Sequence, residues 1–391
     1  MCNYMKIIQR DTLNLEMNAA CDIKFTYTAM HGVGYSFMIQ AFRAANFKPF
    51  IVVEEQKDPD PEFSTVKFPN PEEGKSALNL AIETADKNSS TVILANDPDA
   101  DRMAVAEKQS DGEQGWHIFN GNELGSLLGW WCWHSYRERN PGEDLNNLYM
   151  MSSTVSSKLI KTMASIEGFQ FFETLTGFKW MGNKTAELQK EGKKVIFAFE
   201  EAIGFMCFTA VLDKDGISAA VRAAEMVSYL STKGMTLMDK LQDLYSTYGF
   251  HISNNSYFLC YEQPVIEHIF ERLRNFSGSA DTYPTSLLDG KYEIETVRDL
   301  TTGFDSSQPD NKAVLPVSKS NQMITFTFKN GLVATLRTSG TEPKVKYYTE
   351  LCASPAEKNV EVVKATLEEM VAAIVEEFLQ PEENGLIARS N

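Results

Sequence analysis

The chain has 391 residues, 43% of them apolar and 23% charged, with 23 Gly and 14 Pro; this composition excludes disordered, collagen-like and low-complexity classes and leaves room for more than one hydrophobic core. Its 37 Lys and Arg stand against 53 Asp and Glu, a net charge of −16, so the surface repels nucleic-acid backbones and anionic lipid, and neither is an expected partner. The six cysteines are scattered singly with no CxxC pair, which excludes a disulfide scaffold and predicts buried thiols; with no apolar leader and no long apolar run, the cytosol is the expected compartment.

Residues 1–22 read as a polar, helical lead. Residues 23–29 (IKFTYTA) then predict a strand running into the Gly-rich turn His31-Gly-Val-Gly34, followed by a helix over 35–46 and a strand over 49–54. A Pro-rich acidic loop, a helix over 74–87 and the apolar run 91–95 complete a βαβ pattern. The pattern returns with strands predicted over 149–155, 169–175 and 194–199 and helices over 156–166 and 181–191. Beyond residue 250 the character changes to β runs at 256–261, 292–298, 323–328, 333–337 and 345–351, the mark of an antiparallel or mixed sheet. A last helix is expected to start with Ser354 as N-cap, Pro355 at N1 and Glu357 at N3, carrying the apolar stripe Val360, Val363, Leu367, Val371, Ile374 and Phe378. The fold class is therefore α/β: two successive mixed α/β units plus a C-terminal α+β domain, with expected boundaries 1–22, 23–145, 146–250 and 251–391.

Four segments carry chemistry. Asn96-Asp-Pro-Asp-Ala-Asp-Arg102 follows the strand TVILA, so Asp97, Asp99 and Asp101 sit on a loop at the carboxyl end of a strand, where ligand sites collect. Alternate carboxylates in an extended loop converge on one hard cation such as Mg²⁺; a bland acidic turn is the competing reading, and an EF-hand fails because Arg102 and Lys108 stand where Gly and Glu are needed. TGFKWMG at 176–182 offers Lys179 as a donor to phosphate or sugar oxygens and Trp180 as a wall, or is a surface turn. Glu200-Glu-Ala-Ile-Gly204 holds two acids at a strand end, suited to vicinal hydroxyls or to capping a helix. RTSGTEPK at 337–344 delivers an Arg, two hydroxyls, a Gly and Lys344 into one turn of an acidic chain, which predicts a phosphate pocket rather than a plain hairpin; it lacks the Walker A pattern. His31 reads as structural, and Asp213-Lys-Asp-Gly216 as the cap of the helix after it.

Taken in order, HGVG at 31–34, DPDADR at 97–102, TGFKWMGN at 176–183, FEEAIG at 199–204, LDKDG at 212–216 and RTSGTEPK at 337–344 resemble the α-D-phosphohexomutase superfamily, and within it the phosphoglucomutase and phosphopentomutase branch that includes the glucose 1,6-bisphosphate synthase. The resemblance implies phosphohexomutase domains two to four and a phosphoryl transfer between positions of a sugar phosphate. Asp97, Asp99 and Asp101 would bind Mg²⁺, and Arg102 and Lys179 would serve the transferring phosphoryl group. Thr176, Gly177, Phe178, Lys179, Glu200 and Glu201 would read the sugar, while Arg337, Thr338, Ser339, Gly340, Thr341 and Lys344 would hold the non-reacting phosphate. Expected ligands are glucose 1-phosphate and ribose or deoxyribose 1-phosphate, with glucose 1,6-bisphosphate as activator or product, on a monomeric protein.

The sequence departs from the family pattern in two places. Ala202 stands where many hexomutases carry Ser, which favours the pentose-tolerant or synthase branch. The first domain of the family supplies a serine in a T-A-S-H-N-P-type loop that carries the phosphoryl group; no such loop occurs in the 391 residues, and Thr28-Ala-Met-His31 has Met30 at the critical position. The expectation is therefore a chain lacking that domain and inactive alone. Its rival is a non-catalytic sugar-phosphate-binding or regulatory fragment. A calcium-binding structural protein is disfavoured by RTSGTEPK.

Overall fold

The structure, a computed structural model, describes residues 2–71, 75–109, 115–279, 282–340 and 342–389. Two compact units divide the chain, Met1–Leu244 and Tyr245–Asn391.

In the first unit the lead forms α1 (Cys2–Asp11) and α2 (Leu15–Ala20), the latter capped by the Asn14 side chain. The first sheet and its helices follow as β1 (Phe25–Thr28), α3 (Gly34–Ala44), β2 (Ile51–Val52), α4 (Lys75–Lys87), β3 (Val92–Asn96), β4 (Met103–Lys108) and β5 (Trp116–Ile118). Strand order is β2-β1-β3-β4-β5. The β2, β1 and β3 strands run parallel, whereas β4 and β5 return antiparallel. Every residue of β1 and β3 is buried, as a parallel layer covered on both faces requires.

The second sheet repeats this plan: α5 (Gly121–Arg139), β6 (Leu148–Ser153), α6 (Leu159–Glu167), β7 (Gln170–Thr174), α7 (Phe178–Lys190), β8 (Lys194–Glu200), β9 (Gly204–Met206), α8 (Gly216–Ser231) and α9 (Leu237–Tyr248), in strand order β7-β6-β8-β9 with only β9 antiparallel. In both sheets an acidic loop thus joins a central parallel strand to its antiparallel neighbour.

Two helices weld the sheets into one unit. α5 opens with a full capping box between Asn120 and Glu123 and lies on β8 through a glycine stripe. A Cβ on Gly121 would stand 1.7 Å from the Glu201 carbonyl oxygen, and one on Gly125 2.3 Å from the Phe199 ring. α8 is buried along nearly its whole length and packs on α3, β3 and β4 of the first sheet and on α5 and β9 of the second. Its Glu225, fully buried, accepts hydrogen bonds from the Leu13 N–H, from Trp131 Nε1 at 3.1 Å and from Arg222 at 2.7 Å. Arg222 also donates to the Asp11 carbonyl at 3.1 Å, so the lead is strapped to this helix.

The second unit is an antiparallel sheet: β10 (His251–Leu259), α10 (Gln263–Arg274), β11 (Ser286–Leu287), β12 (Tyr292–Asp299), β13 (Phe304–Asp305), β14 (Met323–Phe328), β15 (Leu332–Thr338), β16 (Lys344–Cys352), α11 (Val360–Ala373) and β17 (Ile387–Ala388). Strand order is β11-β12-β14-β15-β16-β10-β17, with β13 on β12. α11 packs on β10 and β16 through the expected stripe, in which Val363, Leu367, Val371, Ile374 and Phe378 are buried.

The expected capping box at Ser354 does not form. Ser354 closes a separate turn, its carbonyl taking the Glu357 N–H at 2.9 Å, and the helix starts at Val360 with Asn359 accepting the Glu361 N–H at 3.1 Å. Cys21, Cys132, Cys207 and Cys260 are buried thiols, as expected, whereas Cys352 is only half-buried. No helix among the described residues is long and apolar enough to cross a membrane.

Candidate functional site in the first unit and the 337–344 turn

The loop 97–102 reverses the chain from β3 into β4 through Ala100, whose φ of +61° lies in the left-handed region. Its N–H donates to the Asp97 carbonyl at 2.9 Å, and the Arg102 N–H donates to Asp97 Oδ1 at 2.9 Å. Oxygens of Asp97, Asp99 and Asp101 lie within 4.8 Å of one another. Burial pushes the Asp97 carboxyl up to about 6, the Arg102 N–H opposes the shift, and repulsion from Asp99 and Asp101 adds to it. Three converging oxygens, one in a partly dehydrated setting, fit a hard divalent cation.

The support beneath this loop comes from the HGVG turn. The Val33 N–H donates to the Pro98 carbonyl at 2.8 Å, and a Cβ on Gly32 would lie 2.2 Å from Pro98, so only glycine admits the contact. His31 is buried, with Nε2 2.7 Å from Thr65 Oγ1, and is structural as expected.

The loop 213–216 is fastened to the same turn. Asp215 caps α8 through the Ile217 and Ser218 N–H groups and accepts the Tyr4 hydroxyl at 2.7 Å. Gly216 donates to the Ala100 carbonyl at 3.1 Å, and a Cβ there would meet the Arg102 carbonyl oxygen at 2.2 Å. Lys214 Nζ stands 2.5 Å from Asp101 Oδ2. Burial pulls the Lys214 ammonium down, but the hydrogen bond and charge of Asp101 prevail and hold it above the usual lysine range. The carboxylate cluster thus already draws a cation toward itself.

The loop 201–203 adjoins the metal loop directly: Arg102 and Gly204 form an antiparallel bridge, and the Met103 N–H donates to the Ile203 carbonyl at 3.1 Å. Glu201 accepts from Ser156 Oγ at 3.1 Å and Ser153 Oγ at 3.3 Å. Glu200 Oε1 accepts the Gly177 N–H, which ties in the third loop. Gly177 has φ +103° and α7 begins at Phe178, three residues before the expected start, so Phe178, Lys179 and Trp180 form its first turn. Phe178 is buried in the core with Met151, Met181 and Leu188, and its ring edge lies against Gly204 of the EEAIG loop, where a Cβ would come within 3.1 Å of it. Thr176 is half-buried. Lys179 is exposed, its ammonium 5.4 Å from the Trp180 ring centroid.

The turn 337–344 lies in the second unit, between β15 and β16. Thr338 is anchored by its N–H to the Gln322 carbonyl at 3.0 Å, and its hydroxyl accepts the Gln322 N–H at 3.2 Å. The Ser339 N–H donates to the Lys344 carbonyl at 2.9 Å, and Lys344 Nζ pairs with Glu342 at 2.7 Å. Arg337 stacks over Tyr348 at 5.6 Å. A Cβ on Gly340 would meet no protein atom within 4 Å, so packing does not demand glycine there. Thr341 lies outside the described residues.

The first unit therefore joins the metal, EEAIG, TGFK and DKDG loops by direct contacts. Lys214, Ser153, Ser156 and Tyr4 escaped sequence reasoning. Lys214 lay in a motif read as a cap and as part of the family resemblance, with no role given to the lysine itself, and the serines carry no spacing signature.

Residues 3–112 match the family model for phosphoglucomutase/phosphomannomutase, alpha/beta/alpha domain II, and residues 120–248 match domain III. The chain is 55% identical over 385 residues to human phosphopentomutase, covering 98% of this chain and 62% of that protein. It is 55% identical over 390 residues to human glucose 1,6-bisphosphate synthase, covering 99% and 62%, and 37% identical over 399 residues to the phosphoribomutase of Saccharomyces cerevisiae, covering 98% and 62%. The chain thus spans less than two thirds of the length of these relatives. In fold it is similar to the phosphoglucomutase parafusin from Paramecium in its open form, with TM-score 0.63 and 18% identity over 97% of this chain and 62% of that one. With two successive domain models matched in order and relatives aligned along its whole length, the chain belongs to the phosphoglucomutase/phosphomannomutase family.

Proposed function

We propose that the chain is the metal-, sugar- and phosphate-binding part of a sugar-phosphate phosphotransferase of the phosphopentomutase or glucose 1,6-bisphosphate synthase type. The observation that carries the reading is the direct bonding of three loops in the first unit: the bridge from Arg102 to Gly204 and the hydrogen bond from Gly177 to Glu200. Asp97, Asp99 and Asp101 would hold Mg²⁺, which when bound neutralises charge on a phosphoryl group. Arg102, in the same loop, and Lys179 supply cations for that group. Glu200 and Glu201 accept hydrogen bonds from sugar hydroxyls. Arg337, Thr338, Ser339, Gly340, Thr341 and Lys344 form the turn for the non-reacting phosphate. Ala202 removes a hydroxyl near the sugar, which supports a ribose or deoxyribose 1-phosphate ligand or the synthase reaction, with glucose 1,6-bisphosphate as activator or product.

A second reading, a sugar-phosphate binder without turnover of its own, is favoured by one observation. Among these 391 residues the segment nearest to a phosphoserine loop carries Met30, and that side chain is wholly buried. Calorimetry separates the site from the chemistry: with Mg²⁺ present, ribose 1-phosphate and glucose 1-phosphate should bind, and Asp99→Ala should abolish or greatly weaken Mg²⁺ binding. Unchanged Mg²⁺ binding in Asp99→Ala removes the metal assignment.

A further inference from the structure

The strand register of the second unit carries the 337–344 turn further than its own motif. Arg337 on β15 pairs directly with Lys346 on β16, and Lys346 pairs with Tyr257 on β10. On the far side of β10, Phe258 pairs with Ala388 of β17, so the next residue, Arg389, comes opposite Tyr257. Directly paired residues of an antiparallel sheet share one face. One transverse row, Arg337, Lys346, Tyr257 and Arg389, therefore crosses β15, β16 and β10 and ends one residue past β17, at the end of the sheet from which the turn emerges. Lys344, two residues from Lys346, lies on that face as well.

The side chains bear the register out. The Arg389 guanidinium stands 5.6 Å from the centroid of the Tyr257 ring, and Lys344 Nζ stands 4.2 Å from the same ring. Tyr257 is a platform that steadies two cations by their attraction to its face. Arg337 directly opposite Lys346 is a like-charge pair, unfavourable in itself, and Arg389 adds a further positive charge to the row. Glu342 pairs with Lys344 at 2.7 Å, yet in a chain of net charge −16 four cations gathered beside that one carboxylate still suit an anion.

We propose that Arg389, held on Tyr257, is a ligand-binding residue that forms the outer edge of the phosphate site and favours a dianionic phosphomonoester group. The inference rests on the reading of the 337–344 turn as a phosphate site. It adds to that turn the residue that follows the last strand of the sheet, more than forty positions further along the chain. The planar fork of arginine suits two phosphate oxygens at once.

The test is calorimetry on the full chain with ribose 1-phosphate, inorganic phosphate and free ribose. Arg389→Ala should weaken the two phosphate ligands about tenfold, the share of one charge-assisted hydrogen bond, and flatten the salt dependence of binding. Arg389→Lys should recover part of the loss. Tyr257→Leu should weaken phosphate binding, while Tyr257→Phe, which keeps the ring, should not. Arg389 is exposed, so the thermal midpoint of its variants should stay at the parent value. Loss of phosphate affinity in Arg337→Ala with none in Arg389→Ala overturns the proposal and leaves the turn intact. No loss in Arg337→Ala overturns the reading of the turn. Equal loss for free ribose in Arg389→Ala shows a structural role and also overturns the proposal.

Discussion

Asp97 carries the electrostatic cost of the metal loop. Its carboxyl ionises near pH 6 in the folded chain, against an ordinary value of 3.8, because it is buried and faces Asp99 and Asp101. A raised folded value means that the folded state holds the proton more tightly than the unfolded chain. The resulting stabilisation is fully present below about pH 4 and is lost as pH rises through about 6. A divalent cation held, as proposed, by the ionised cluster would reverse the sign. In metal-free buffer the Asp97 contribution to thermal stability should therefore fall between about pH 4 and 6, and the rise in Tm on adding Mg²⁺ should be much larger at pH 7.5 than at pH 5. Thermal scans at both pH values check this; a Mg²⁺ shift independent of pH would count against the cluster as the binding site. The carboxylate spacing was legible because ligands on one extended loop are neighbours in sequence. Lys214 was not, since its distance to Asp101 depends on α8 docking onto β4, a tertiary event that no local pattern records.

At the scale of elements, two features decide how the loops are held. The α5 stripe of Gly121, Gly125 and Gly129 lets the helix lie on β8 and on the backbone of Glu201. An alanine at Gly121 meets a carbonyl oxygen, whereas one at Gly129 meets the movable Ile160 Cδ1 at 2.3 Å. Gly121→Ala should cost about 1–3 kcal/mol, as overpacking of a rigid neighbour does, and Gly129→Ala less; chemical denaturation ranks the two. The second feature is the start of α11. Asn359→Ala should remove about 1 kcal/mol of stability and Ser354→Ala much less, and the reverse order would restore the cap expected from sequence. The sequence presents Ser, Pro and Glu at capping-box spacing, yet the Ser354 carbonyl is spent on its own turn, and Asn359 stands at the point where the chain meets the sheet-facing stripe. The stripe itself was legible because periodicity reports burial directly. The role of the α5 glycines was not legible, because their purpose lies on the surface they approach.

At the scale of the whole molecule, the chain carries the loops for which we propose a metal, hydroxyls and phosphate as ligands, and the question is what it can complete with them. Phosphoryl transfer through a bisphosphate needs a nucleophile that stores the phosphoryl group between half-reactions. Fixed positive charge lowers the barrier of such a transfer but supplies no donor. In the first unit Ser153 and Ser156, the serines bonded to the EEAIG loop, are buried and engaged with Glu201, and Met30 occupies the place most like a carrier loop. We therefore expect the 391-residue chain, assayed alone with Mg²⁺, glucose 1-phosphate or ribose 1-phosphate and catalytic glucose 1,6-bisphosphate, to bind ligand without turnover. Arg337→Ala should weaken the sugar monophosphates by about 1.5–3 kcal/mol, the worth of a charged hydrogen bond, and leave the parent sugars unaffected. Supplying the serine-bearing first domain of a relative in trans is the measurement that separates an incomplete catalyst from a binder: restored turnover that disappears in Asp99→Ala identifies these loops as catalytic machinery. Turnover by the chain alone, equally abolished by Asp99→Ala so that a contaminating mutase is ruled out, would show that a residue within these 391 carries the phosphoryl group.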